Sequence, residues 1–169
     1  MKRLLPLVFA IMLALPAAAG FQSDAAQREQ APPWRVPMPA ARATAEITVG
    51  EIPMTVELAL SPNEQSLGLG YRNVLEPGTG MLFAFEEPVE RRFWMRGMRF
   101  CLDIVWIANG KIIGAAENAC PDPEGTEDSD REHYLSGDPV THVLEVPAGW
   151  LSENGFGPGT PVQIPESLR

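Results

Sequence analysis

The chain has 169 residues, 45% of them hydrophobic, and a formal net charge of −9. An acidic balance of this kind excludes ordinary nucleic-acid binding, which needs a basic face for the phosphates, and argues against adsorption to anionic lipid. A chain of this size makes one domain and buries ~70% of its unfolded surface.

Lys2 and Arg3 precede an apolar run from Leu4 to Leu15, and Pro16 leads into Ala17-Ala18-Ala19. A basic start, an apolar stretch and small residues make residues 1–19 a secretory signal, expected to be cut after Ala19. The run is too short for a membrane-spanning helix, which needs roughly 20 residues. No later run is long enough, so no membrane span is expected after signal removal. Loss of Lys2 and Arg3 takes the charge from −9 to −11. The expected location is therefore exported, periplasmic or secreted. Residues 20–43 read as a Pro-rich disordered linker, because Pro32, Pro33, Pro37 and Pro39 interrupt any helix or ladder. Residues 44–169 form the single folded body.

From Ile52 to Leu60 the even positions Ile52, Met54, Val56, Leu58 and Leu60 are apolar, the period of a half-buried strand. Ile47 and Val49, ahead of Gly50, suggest its hairpin partner. Ser61-Pro62-Asn63-Glu64 has the form of a capping box with Pro at the first helical position, opening a short helix that ends around Gly68 to Gly70. Met81 to Phe85 and Arg92 to Met95 read as strands separated by a Glu86-Glu87-Pro88 turn. Leu102 to Ala108 is apolar apart from Asp103, so it should be covered on both faces. Asn109-Gly110 joins it to Lys111–Ala115 as a hairpin. His142 to Val146 is another strand, Pro147 to Asn154 a short helix stopped by Gly155, and Val162 to Ile164 a last edge strand. The fold class is mainly β (β-rich α+β): a small antiparallel barrel or sandwich with two short helices.

Five blocks carry a resemblance: Gly68-Leu69 with Arg72; Gly80-Met81-Leu82-Phe83 with Phe85; Phe93-Trp94-Met95-Arg96; Leu102-Asp103; and Leu144-Glu145 with Ala148-Gly149. Together they resemble the domain of unknown function 192 family from about Pro53 to Pro165. Gly70 departs from an expected Met, Gly97-Met98 from Asn-Thr, and Cys101 from Pro. The resemblance implies a fold and an exported setting, and it implies no activity.

The candidate ligand-binding residues are Arg72, Trp94, Arg96, Asp103 and Glu145. Trp94 and Arg96 share strand parity and can face one side. Asp103 and Glu145 lie in apolar sequence, where a buried carboxylate is costly unless paired or hydrogen-bonded; Arg96, Arg99 and Arg72 are the candidate partners of Asp103. One reading is a small polar pocket with Arg holding an anion and Trp as a stacking wall. The plainer reading is that Arg and acid pin the strands while Trp94 fills the core.

Cys101 and Cys120, the two cysteines of an exported chain, are expected to form a disulfide. Met95, Met98 and Cys101 offer soft sulfur ligands, but their strand parities do not converge without a bulge at Gly97. His133 and His142 belong to no ligand motif, and the acidic run Asp122 to Glu132 lacks the spacing of a calcium loop, so no metal is expected. Phosphate-cradling glycine loops and nucleophile motifs are absent, so no cofactor is expected and the catalytic residues are unknown. The reading is an exported cell-envelope binding or accessory module whose partner is an unknown small molecule or envelope protein. The alternative is a hydrolase using Asp103 and Glu145 as acid and base, with Arg96 holding an anionic group.

Overall fold

The structure is a computed structural model that describes residues 42–168; the expected signal and most of the expected linker lie outside them. The described residues form nine strands: β1 Thr44–Val49, β2 Ile52–Ala59, β3 Thr79–Val89, β4 Arg92–Phe93, β5 Leu102–Ala108, β6 Lys111–Ala119, β7 Tyr134–Leu135, β8 Val140–Pro147 and β9 Val162–Gln163. Two short helices accompany them, α1 Pro62–Leu67 and α2 Trp150–Asn154. Seven strands form one sheet in the order β6-β5-β8-β3-β2-β1-β9, and β4 pairs separately with β7. Among the described residues no helix is long and apolar enough to cross a membrane.

The sheet curls into a half-barrel. Its two edges approach one another: Ile112 N donates to Thr160 O at 2.9 Å and Val162 N to Gly110 O at 2.8 Å. The curl encloses a first core of Ile47, Val49, Val56, Leu82, Val105, Leu144 and Val146, closed by Trp150 and Leu151 of α2. The opposite face carries a second core that includes Leu69, Met81, Phe83, Ile104, Trp106 and Val143. With apolar matter on both faces, β5 is buried from Leu102 to Ile107, as its uninterrupted hydrophobic run predicts.

The local signals act where the residues place them. Ser61 and Glu64 exchange the two bonds of a capping box, Asn109 and Gly110 both take positive φ in the β5–β6 turn, and Gly155 takes the left-handed position that ends α2.

Five expectations are corrected. The sheet is not wholly antiparallel: β2 and β3 run parallel, because α1 and the following loop carry the chain back to the starting edge, the crossover that parallel neighbours require. β3 does not stop at Glu86-Glu87-Pro88. It continues to Val89, with Pro88 in a stretch that has no register partner in β8 between Ala84 and Val89, where the missing N–H costs nothing. The expected strand at Arg92 to Met95 shrinks to Arg92–Phe93, and the expected helix from Pro147 shrinks to Trp150–Asn154 because Pro147 still belongs to β8. Leu60 lies past the end of β2 and is 47% exposed.

Candidate functional site

The strand pairings decide which polar residues meet. Ile104 pairs with Glu145, and Asp103 with Val146. Paired residues project to one face and strand neighbours to opposite faces. Asp103 therefore points to the face of the first core and Glu145 to that of the second. The acid and base imagined for a hydrolase do not share a cleft, and that pairing is withdrawn.

Asp103 is fully buried and its carboxylate is fully engaged. It accepts from Asn118 N at 2.9 Å, Gly149 N at 3.1 Å and Leu151 N at 3.0 Å. These bonds fasten β6, where Asn118 takes a positive φ, and the start of α2 to β5. None of the arginines weighed as its partner takes that role, and Asp103 works as a strand pin.

Glu145 has the opposite character. It is buried, and its Oε2 has no hydrogen-bond partner among the described residues. Burial pushes its carboxyl up to about 8, against the smaller opposing pull of Arg42 and Arg72. It belongs to a row across three strands, since Met81 pairs with Glu145 on one side and with Glu57 on the other. Arg72 grips Glu57 with two bonds, Nη2 to Oε2 at 2.6 Å being one, and this pair holds the Glu57 carboxyl below its ordinary value. Arg42 donates to Gly68 O at 3.0 Å and to Met81 Sδ at 3.2 Å. Arg72 and Glu145 are thus brought into one charged cluster, together with Arg42, which the sequence reading had left inside the linker.

Trp94 and Arg96 do sit together, elsewhere on the same side of the sheet. The Arg96 guanidinium lies 5.3 Å from the Trp94 ring. Alternation along β4 sends Phe93 inward, edge-on to Phe83 at 5.0 Å and Trp106 at 5.6 Å. It leaves Trp94 37% exposed. Phe93 pairs with Tyr134, which brings the next residue along, His133, to 5.7 Å from Trp94. The loop leading to His133 is held by a chain of ion pairs, Arg96–Asp128 at 3.2 Å, Asp128–Arg131 at 2.9 Å and Arg131–Asp122 at 3.0 Å. The disulfide between Cys101 and Cys120 anchors the start of that loop; with Cys101 so engaged, the Met95-Met98-Cys101 trio has no thiolate to offer a metal.

A hollow of about 380 Å³ opens beside Trp94 and His133, with Phe83, Phe85 and Phe93 as its apolar lining and Arg91 and Arg92 among its polar groups. Arg91 stacks on Phe85 at 3.7 Å and donates one Nη2 bond to Glu87 O at 2.9 Å. Its Nε is buried without a partner among the described residues, and desolvation lowers its affinity for a proton. Sequence reasoning missed Arg91 and His133. His133 was reachable only through the β4–β7 register, and Arg91 only through the depth of the Phe85 face it covers.

Such a curled sheet, with the hollow beside Trp94 and a buried charged row, defines a small β-rich fold without a recognisable catalytic constellation among the described residues. The profile of the DUF192 family, described as "Uncharacterized ACR", matches residues 43–164, and the chain belongs to that family. Two solved structures are similar to it. One is a "putative transcription regulator" from Sinorhizobium meliloti 1021, 32% identical, covering 73% of this chain and 95% of its own, with a TM-score of 0.66. The other is a protein of unknown function from Novosphingobium aromaticivorans DSM 12444, 28% identical, covering 75% of this chain and 94% of its own, with a TM-score of 0.63. No curated protein matches the chain.

Proposed function

We propose that this protein is an exported binding or accessory module of the cell envelope that holds a small organic anion in the hollow beside Trp94. The observation that carries the reading is Arg91: a desolvated guanidinium with an unpartnered Nε lining the same hollow as the exposed indole of Trp94. The half-buried Arg91, on which the charge of Glu87 acts, keeps a buried Nε–H that calls for an acceptor, and the indole offers a flat stacking face. The hollow's volume falls within the ~300–1,000 Å³ typical of small-molecule sites. The disulfide is compatible with an oxidising compartment. A role on DNA is not proposed for this chain, whose charge of −9 opposes phosphate binding.

The test is a thermal-shift and calorimetry screen of the chain against organic acids, neutral sugars and amines, repeated with Trp94→Ala and Arg91→Gln. Organic acids should raise Tm, and each substitution should weaken binding by roughly tenfold or more, about 1.4 kcal/mol. Because Trp94 is partly exposed, its loss should change stability by less than about 1 kcal/mol. A response confined to neutral sugars or amines, or unchanged in both variants, refutes the anion reading. Recovery of the chain uncut in the cytoplasmic fraction refutes export.

A further inference from the structure

The row beneath Arg42 and Arg72 presents a different demand. Three polar atoms there are buried without partners among the described residues: Arg42 Nε, Arg72 Nε and Glu145 Oε2. Arg42 and Glu145 each feel the charge of the other two, and Arg72 feels that of Glu145. Arg42 and Glu145 meet at Gly68, whose carbonyl accepts from Arg42 and whose Cβ, if it had one, would stand 3.9 Å from Glu145 Oε2. Buried donors and acceptors in native proteins have partners with few exceptions, and a group of exceptions in one place calls for partners that the described residues do not supply.

The chemistry of the guest follows from the groups that face it. The two Nε–H groups can only donate, and a carboxyl kept neutral by burial donates as well, so the guest is an acceptor. Two guanidinium charges stand against one carboxylate, Glu57. Glu64, the other acid near Arg42, directs its carboxylate to the amides of Ser61 at 2.8 Å and Leu60 at 3.2 Å. One positive charge is left over, matched by a single negative one. Planar guanidinium groups suit the flat pair of oxygens of a carboxylate. Access comes from the Arg72–Glu57 side, where the two side chains are 19% and 28% exposed. We propose that Arg42, Arg72 and Glu145 form a second binding site, for a small monovalent oxyanion of the carboxylate type, with formate as the probe.

The test follows thermal unfolding and heats of binding of the full chain as formate replaces chloride at constant ionic strength. The expected result at about pH 7 is a saturating rise in Tm that sulfate does not reproduce, weakening by roughly tenfold towards about pH 9 as the neutral acid is lost. Arg42→Met should weaken the midpoint by roughly tenfold or more, and Trp94→Ala should leave it unchanged, which separates this site from the hollow. Glu145→Gln keeps a neutral donor without the titration. Its midpoint should stay within about threefold of wild type near pH 7 and should not weaken towards about pH 9, which keeps the test decisive if Arg42→Met does not fold. A Tm indifferent to formate, as with water as the sole occupant, overturns the proposal. So does an equal response to chloride and sulfate, or the same pH dependence in wild type and Glu145→Gln.

Discussion

Replacing Glu145 with Gln isolates what burying this carboxyl costs. Its folded value of about 8 stands above the ordinary 4.5 of an exposed glutamate, so between those limits the folded state holds a proton that the unfolded state has released. The group's stabilising contribution is then complete below about pH 4.5 and declines as pH rises through about 8. From pH 4.5 to 7 the loss amounts to about 3 kcal/mol, at about 1.36 kcal/mol per pH unit. Glutamine keeps the shape and cannot ionise. Urea denaturation of both proteins in chloride-only buffers across this range should show the Gln variant equal or slightly weaker at the acid end and more stable by about 2–4 kcal/mol near pH 7. The difference between the two curves removes every other titration. Glu57 and Glu64, whose values hydrogen bonds lower, act below about pH 4.5, where their contributions fade as pH falls. Parallel curves between about pH 5 and 7.5 would mean that Glu145 is ionised in the folded protein, and the reasoning from burial would fail.

Asp103→Ala strands three backbone donors, that of Leu151 buried and those of Asn118 and Gly149 part-buried, and should cost about 2–4 kcal/mol in urea denaturation, with Asp103→Asn falling between Ala and wild type; a loss below about 1 kcal/mol would refute its role as a pin. The disulfide spans a sequence separation of 19, and Cys101→Ser with Cys120→Ser should lower stability by about 3 kcal/mol. Intact mass should rise by two hydrogens on reduction; no change in mass would show free thiols instead.

Much of the fold was legible because its cues are local. Period-two burial at Met54, Val56 and Leu58, the Ser61/Glu64 box and the Asn109-Gly110 turn each depend on residues within a few positions of one another. The site was less legible because its geometry depends on register. Had β5 and β8 slipped by one residue, Asp103 would lie beside Glu145 and the hydrolase pair would exist, since a one-residue shift moves every side chain to the other face. Nothing in either strand's composition records which register holds. The Leu102–Pro147 to Ile107–His142 ladder decides it, with Val146 and Val105 directed into the curl. The parallel β2–β3 pair was hidden for a related reason: each strand reads correctly alone, and the relation between them is made by the crossover. Arg42 was missed because a lone arginine after a Pro-rich stretch looks like linker. Its cue was Glu145, an acid in apolar sequence whose neighbours along the chain offer no polar partner.

The degree to which buried polar groups are satisfied separates structural from functional residues in this sheet. Asp103 and Glu145 look alike in sequence, each an acid among β-branched and aliphatic residues of a central strand. One accepts three backbone bonds and has nothing left for a ligand. The other keeps an unpartnered oxygen, and burial raises the pKa that pairing would lower. An unmet hydrogen bond at such a position costs about 1–3 kcal/mol, a penalty that a purely structural residue has no reason to carry. The same test separates the arginines. Arg131, bonded to Asp122, Asp128 and Thr126 O, is a loop clamp, whereas Arg91 and Arg42 leave buried Nε groups unanswered. Those two mark the hollow beside Trp94 and the row beside Glu145, and Phe83 stands between them, lining the first and lying 3.4 Å from where a Gly68 Cβ would stand at the second. A Cβ at Gly68 would meet both places at ordinary contact distance, and it is the φ of +50°, a conformation that side chains rarely adopt, that accounts for glycine there.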